Sequence, residues 1–149
     1  MPNTKHRTPN TLIILIGSRL PKFIKYWLPL AAYCLLIFIQ SSFPSPIRDP
    51  DVPFFDKYLH LIAYAPLGAL FYRAFSTLKM GGKKTKVAVL SIVCAGLYGI
   101  SDEIHQYFVP GRHADIIDAA VDFVGAACGV LIYQYVVKRR TSVAPRLAD

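Results

Sequence analysis

Apolar residues in this chain are gathered into four runs that carry few charges. They cover residues 26–43 (YWLPLAAYCLLIFIQSSF), 58–75 (YLHLIAYAPLGALFYRAF), 87–108 (VAVLSIVCAGLYGISDEIHQYF) and 116–137 (IIDAAVDFVGAACGVLIYQYVV). At about 1.5 Å of helical rise per residue, runs of this length reach about 27 to 33 Å, the thickness of a bilayer's hydrocarbon core. None alternates apolar with polar as a barrel strand must. The pattern predicts an all-α membrane bundle of four transmembrane helices. It also divides the chain into a basic leader (1–25), the membrane domain (26–137) and a basic tail (138–149).

Composition agrees. Of 149 residues 54% are hydrophobic and only 17% charged, yet the net charge is +8. A soluble domain carries about 25% charged residues, and a chain this apolar is not disordered. The positive charge by itself would suggest nucleic acid, but a nucleic-acid-binding domain disperses its apolar residues around one core, and here they lie in blocks. An early stretch, TLIILI at 11–16, is too short for a secretory signal and is followed at once by Arg19, Pro21, Lys22 and Lys25. Cys34, Cys94 and Cys128 all fall inside the runs and read as small buried hydrophobes, without metal-ligand or disulfide spacing.

Sorted by loop, the charges become a topology signal. The leader, the loop after the second run (Arg73, Lys79, Lys83, Lys84, Lys86) and the tail together hold fourteen basic residues. The other two loops hold three, Arg48, Lys57 and Arg112, against Asp49, Asp51, Asp56, Asp102, Glu103, Asp115 and Asp118. By the positive-inside rule both termini are cytoplasmic and the acidic loops face outward.

Ionisable residues within or beside membrane spans are expensive and mark functional sites by default. Asp56, His60 and Tyr64 follow one another at helical spacing and share a face, which suggests an oriented His60–Asp56 pair. Asp102, Glu103, His105 and Gln106 end the third run, with Asp102 and Gln106 one turn apart. Asp115, Asp118 and Asp122 form a stripe that continues as Gly125 and Gly129, a small-residue face that admits another helix. Gly96 and Gly99 lie on the Glu103 face, so the acids should converge on one pocket at the outer end. The turn-forming Pro110 and Gly111 should place Arg112 beside them. His105 and His113 read as rim residues, and Ser41 and Ser42 as hydroxyls closing the first helix. So many crowded acids require basic partners, raised pKa values or a bound cation. A purely structural network that fixes helix register accounts for the same pattern.

These segments carry a family resemblance. QSSFP after the first run, DKYLHLIAYAPLG opening the second, and SDEIHQYFVPGRHADIIDAAVDFVGAACG across the third and fourth resemble the VanZ-like family of small bacterial membrane proteins. The residues that match the family pattern are Ser42, Asp56, Lys57, His60, Tyr64, Asp102, Glu103, Gln106, Arg112, Asp115, Asp118, Gly125 and Gly129. Asp122 stands where the family usually has Asn. The resemblance implies a role at the outer face of a bacterial inner membrane, with a link to glycopeptide (teicoplanin-type) resistance.

Two functional classes then follow. In the first, the protein acts on an envelope amphiphile, a lipid-linked cell-wall precursor or a phospholipid. Glu103 or Asp102 serves as general acid or base, and His60 and Asp56 form an acid/base pair. Arg112 and Lys57 hold an anionic group, with Gln106, Tyr64, Ser42, Asp115, Asp118 and Asp122 completing the substrate site. A divalent cation on Asp56, Glu103, Asp115 and Asp118 is a variant. In the second class, a non-catalytic membrane factor binds lipid, antibiotic or a partner protein. Nucleic acid is not among the expected partners.

Overall fold

The computed structural model describes residues 21–44, 53–78, 80 and 84–143. Most of the basic leader, the loop charges Arg48, Asp49, Asp51, Lys79 and Lys83, and the end of the tail lie outside these residues. Among them there are four helices and no strand: α1 (Lys22–Ser41), α2 (Phe55–Phe75), α3 (Lys84–Tyr107) and α4 (Ile116–Val143). Each apolar run corresponds to one helix. The first three helices begin three or four residues earlier than their runs, so Lys22 and Lys25, assigned to the leader, belong to α1.

Three helices, α1, α3 and α4, are long and apolar enough to cross a membrane. The expected fourth, α2, falls short of that measure, because Asp56, Lys57, His60, Pro66, Gly68 and Arg73 dilute its apolar content. Its position explains why this is tolerated. α2 packs against all three other helices, whereas α1 and α4 do not pack against each other. Tyr64, Leu67 and Ala74 of α2 are buried, while Leu28, Leu35, Leu36 and Phe38 of α1 and Val124, Leu131 and Ile132 of α4 are exposed. The outer helices turn large apolar side chains outward, and the helix with polar residues is shielded by the rest.

The seam between α2 and α4 is built from small residues. A Cβ on Gly129 would collide with the backbone of Ala65, one on Gly125 with the Leu61 carbonyl, and one on Gly68 with the backbone of Ala126. The stripe below Asp122 therefore admits a close neighbour, as its spacing indicates. Tyrosine hydroxyls tie α1 to the core: Tyr33 donates to the Ala63 carbonyl (3.0 Å) and Tyr98 of α3 to that of Cys34 (2.6 Å). Pro29 has no N–H for the carbonyl one turn back, at Lys25, which instead accepts Arg73 Nη2 (3.2 Å).

Contacts between helix ends fix the topology. The ends of α1 and α3 meet at Ser42 and His105, and the starts of α2 and α4 meet at Lys57 and Asp115. At the opposite end Arg73 reaches the start of α1. Successive helices thus run up and down, and α2 and α4 are parallel. One end collects Asp56, Asp102, Glu103, Asp115 and Asp118, with Asp122 beneath them. The other carries Lys25, Arg73, Lys84, Lys86, Lys138 and Arg139. Both extremities of the helical domain lie at the basic end.

Candidate functional site

Three residues in the two connections at the acidic end position it. Phe54, with φ 62°, takes the left-handed conformation that bulky residues rarely adopt and starts α2 immediately after it. Gly111, with φ 82°, makes the turn out of α3 that a side chain would strain. Asp115 then opens α4, its Oδ1 accepting the Ile117 N–H (2.9 Å) in a helix cap. The same residue gives its own N–H to Glu103 Oε2 (2.9 Å) and accepts Lys57 Nζ at Oδ2 (2.8 Å). Asp115 therefore joins α2, α3 and α4 through three different atoms.

The acids divide into two clusters at different depths. The outer one is centred on Lys57, whose Nζ lies 2.8 Å from Asp115 and Asp118 and 3.0 Å from Asp56. Desolvation would lower the lysine's pKa, but the hydrogen bonds to the three carboxylates outweigh it and raise it above the ordinary range. Desolvation likewise pushes Asp56 upward, and the hydrogen bond from Lys57 more than offsets it, leaving that carboxyl below its usual value. Asp115 is lowered by the Lys57 hydrogen bond and by its cap to Ile117.

One turn deeper, His60 Nδ1 lies 3.0 Å from Asp122 Oδ1, and its Nε2 faces Glu103 Oε1 (3.8 Å) and Asp118 Oδ2 (4.0 Å). Asp122 is fully buried and Glu103 is 6% exposed. Asp122 fits because α3 has Gly99 there, where any Cβ would meet the carboxylate. The Tyr64 ring lies parallel to His60, centroids 6.2 Å apart. Among the described residues three buried side-chain polar atoms have no hydrogen-bond partner: Tyr64 OH, Glu103 Oε1 and Asp122 Oδ2. Buried carboxylate oxygens without a donor are costly.

Several expected pairings are corrected. His60 pairs with Asp122 and not with Asp56, because Asp56 sits at the helix start, where its carboxylate meets Lys57, while His60 lies one turn deeper at the level of Asp122. A single cation site on Asp56, Glu103, Asp115 and Asp118 does not form. Asp56, Asp115 and Asp118 surround the Lys57 ammonium, and Glu103 groups with His60 and Asp122. Arg112 does not pair with the carboxylates. Its Nε and Nη2 donate to the carbonyls of Phe43 (2.8 Å) and Gln40 (2.9 Å), drawn by the unpaired carbonyls at the end of α1. Ser42 belongs to the rim, donating to the Phe38 carbonyl (2.6 Å) and therefore accepting His105 Nε2–H (3.0 Å). Gln106 does bond Asp102 one turn away, at 2.9 Å.

A cavity of about 650 Å³ lies between α3 and α4 at the same end. Ile104, Tyr107, Phe108 and Ile116, all exposed, mark it as a groove on the outer surface, as does exposed Ala120, and Ala119 and Phe123 line it toward the bundle. Glu103 and Asp115 are the acids in its lining. The spacing of the runs shows the helices but not this groove, which forms only where α3 and α4 lie side by side.

A family model described as VanZ/LLP1 matches residues 16–138, which takes in all four helices but for the last residues of α4. No curated protein and no solved structure matches the chain. With its helices, its acidic end and most of its length inside that match, the chain belongs to the VanZ/LLP1 family of membrane proteins.

Proposed function

We propose that this protein binds and transforms a cell-envelope amphiphile, a lipid-linked cell-wall precursor or a phospholipid, at the outer face of a bacterial inner membrane. In this reading all four helices span, α2 sheltered among the others, and both ends of the helical domain are cytoplasmic. The observation that carries it is the apolar groove between α3 and α4, with Glu103 among the residues that line it. A hydrocarbon chain lies along Ile100, Ile104 and Phe123, and the polar head reaches the carboxylates. Glu103 is the acid/base candidate: it touches both groove and His60, whereas Asp102 is occupied by Gln106. Lys57 and Arg112 are committed to carboxylates and carbonyls, so the headgroup is not held by them as free cations.

The test uses native mass spectrometry of the full chain purified in mild detergent. Ala120→Trp, which fills the groove, should abolish retention of co-purified amphiphile, while Glu103→Gln should keep the amphiphile and stop its conversion. Unchanged retention in Ala120→Trp would remove the groove from the reading. Retention and conversion both intact in Glu103→Gln would favour the non-catalytic lipid-binding alternative. Orientation is tested by labelling His113→Cys from outside intact cells, in a background without Cys34, Cys94 and Cys128. Thr85→Cys should stay protected, and the reverse pattern inverts the topology.

A further inference from the structure

We infer that His60, Glu103 and Asp122 form a binding site for a divalent transition-metal ion, of which Zn²⁺ is the first to test. One ligand atom from each residue lies within 4.8 Å of the other two. A tetrahedral ion with bonds of about 2.0 Å separates its ligand atoms by about 3.3 Å. A shift of at most about 1.5 Å brings each pair to that spacing. Asp118 Oδ2, 4.0 Å from His60 Nε2, stands next to the set.

Burial is what separates this group from an ordinary acidic cluster. Glu103 Oε1 and Asp122 Oδ2 are enclosed and have no donor, and Glu103 Oε1 is the atom that faces the imidazole. With His60 neutral, as a metal ligand must be, the two buried carboxylates carry two negative charges, which one divalent ion neutralises while giving the unpaired Glu103 oxygen a partner. The outer cluster is the internal control. Asp56, Asp115 and Asp118 are equally close together, but the Lys57 ammonium occupies their centre at 2.8 to 3.0 Å. The imidazole favours zinc, iron, nickel or copper over magnesium, calcium or manganese, which suit oxygen ligands. Three protein ligands leave a coordination position open, as in catalytic rather than structural zinc sites. The ion needs no occupant in the apolar groove; it shares Glu103 with the amphiphile reading, and Asp122, which does not line the groove, separates the two in the test below.

The full-length protein, purified in detergent and stripped with a chelator, is titrated with Zn²⁺ against a fluorescent indicator. One ion per chain is expected. Glu103→Gln and Asp122→Asn should each weaken binding by roughly tenfold or more, and Asp56→Asn should leave it unchanged. Cobalt substitution of the wild type, read by visible absorption and X-ray absorption, should give a shell of one imidazole nitrogen with the remainder oxygen. This readout decides the matter even where a variant fails to fold. Absence of stoichiometric Zn²⁺ or Co²⁺ in the wild type, a shell without imidazole, or equal affinity in folded Glu103→Gln and Asp122→Asn overturns the site.

Discussion

The two acidic clusters lie one helical turn apart and share Asp118, yet they solve the same electrostatic problem differently. The outer one brings its own cation: Lys57 satisfies three carboxylates from α2 and α4, and Asp115 spends its remaining atoms on a helix cap and on Glu103. The inner one has a histidine, two deeply buried carboxylates and oxygens left without donors. Closeness of acids therefore does not by itself mark a site. What marks it is the mismatch between buried acceptors and available donors.

Removing the cation from the outer cluster should erase the contrast, and this is the largest effect expected. Lys57→Met leaves Asp118 buried and unpaired among like charges, and the melting temperature in detergent should fall by roughly 5 °C or more. Millimolar Ca²⁺ should restore much of the loss in the variant while leaving the wild type unaffected, because three carboxylates without an ammonium suit a hard cation. Absence of rescue would mean that Lys57 does more than balance charge.

A smaller effect is expected from Gly99→Ala, whose new methyl group would meet the Asp122 carboxylate. It should cost about 1–3 kcal/mol and weaken zinc binding, with the calcium response of a Lys57→Met background unchanged. If Gly99→Ala alters both clusters equally, they are one network and the division fails.

The smallest effect concerns pH. Asp56 and Asp115 have lowered pKa values, so their contribution is complete above the ordinary carboxylate range and fades as pH drops below about 4. Lys57 is raised, so its contribution is complete below about 10.4 and is lost only as pH rises through the higher folded value. Melting temperature plotted against pH should show no transition near neutrality that disappears in Lys57→Met. A neutral transition abolished by that substitution would show the outer cluster to be the titrating one.

How much of this was legible in the sequence depends on whether the relevant geometry is local. The apolar runs mark the helices because a bilayer imposes length and composition on each segment separately, and Gly125 and Gly129 reveal the α2–α4 seam because packing needs the same small residues wherever it occurs. Partner choice was not legible. Asp56 and His60 sit one turn apart on one face, but their partners are set by the parallel run of α2 and α4, which levels Lys57 with Asp115 and Asp118 and His60 with Asp122. Arg112 was misplaced for a related reason: its position in the loop is clear, but the carbonyls at the end of α1 compete for it from another part of the chain. Asp115 as a helix cap is a signal that the sequence does carry, since an aspartate directly before an apolar run is a helix-start pattern.

The groove between α3 and α4 is lined by residues on the outside of the bundle, from Ile104 and Tyr107 to Ile116. An amphiphile using it would enter by lateral diffusion, without leaving the bilayer. The concentration that governs occupancy is then the mole fraction of that amphiphile among the surrounding lipids. Diluting the membrane with inert lipid at constant bulk concentration should slow any reaction there, a surface-dilution behaviour that an opening to water alone would not produce.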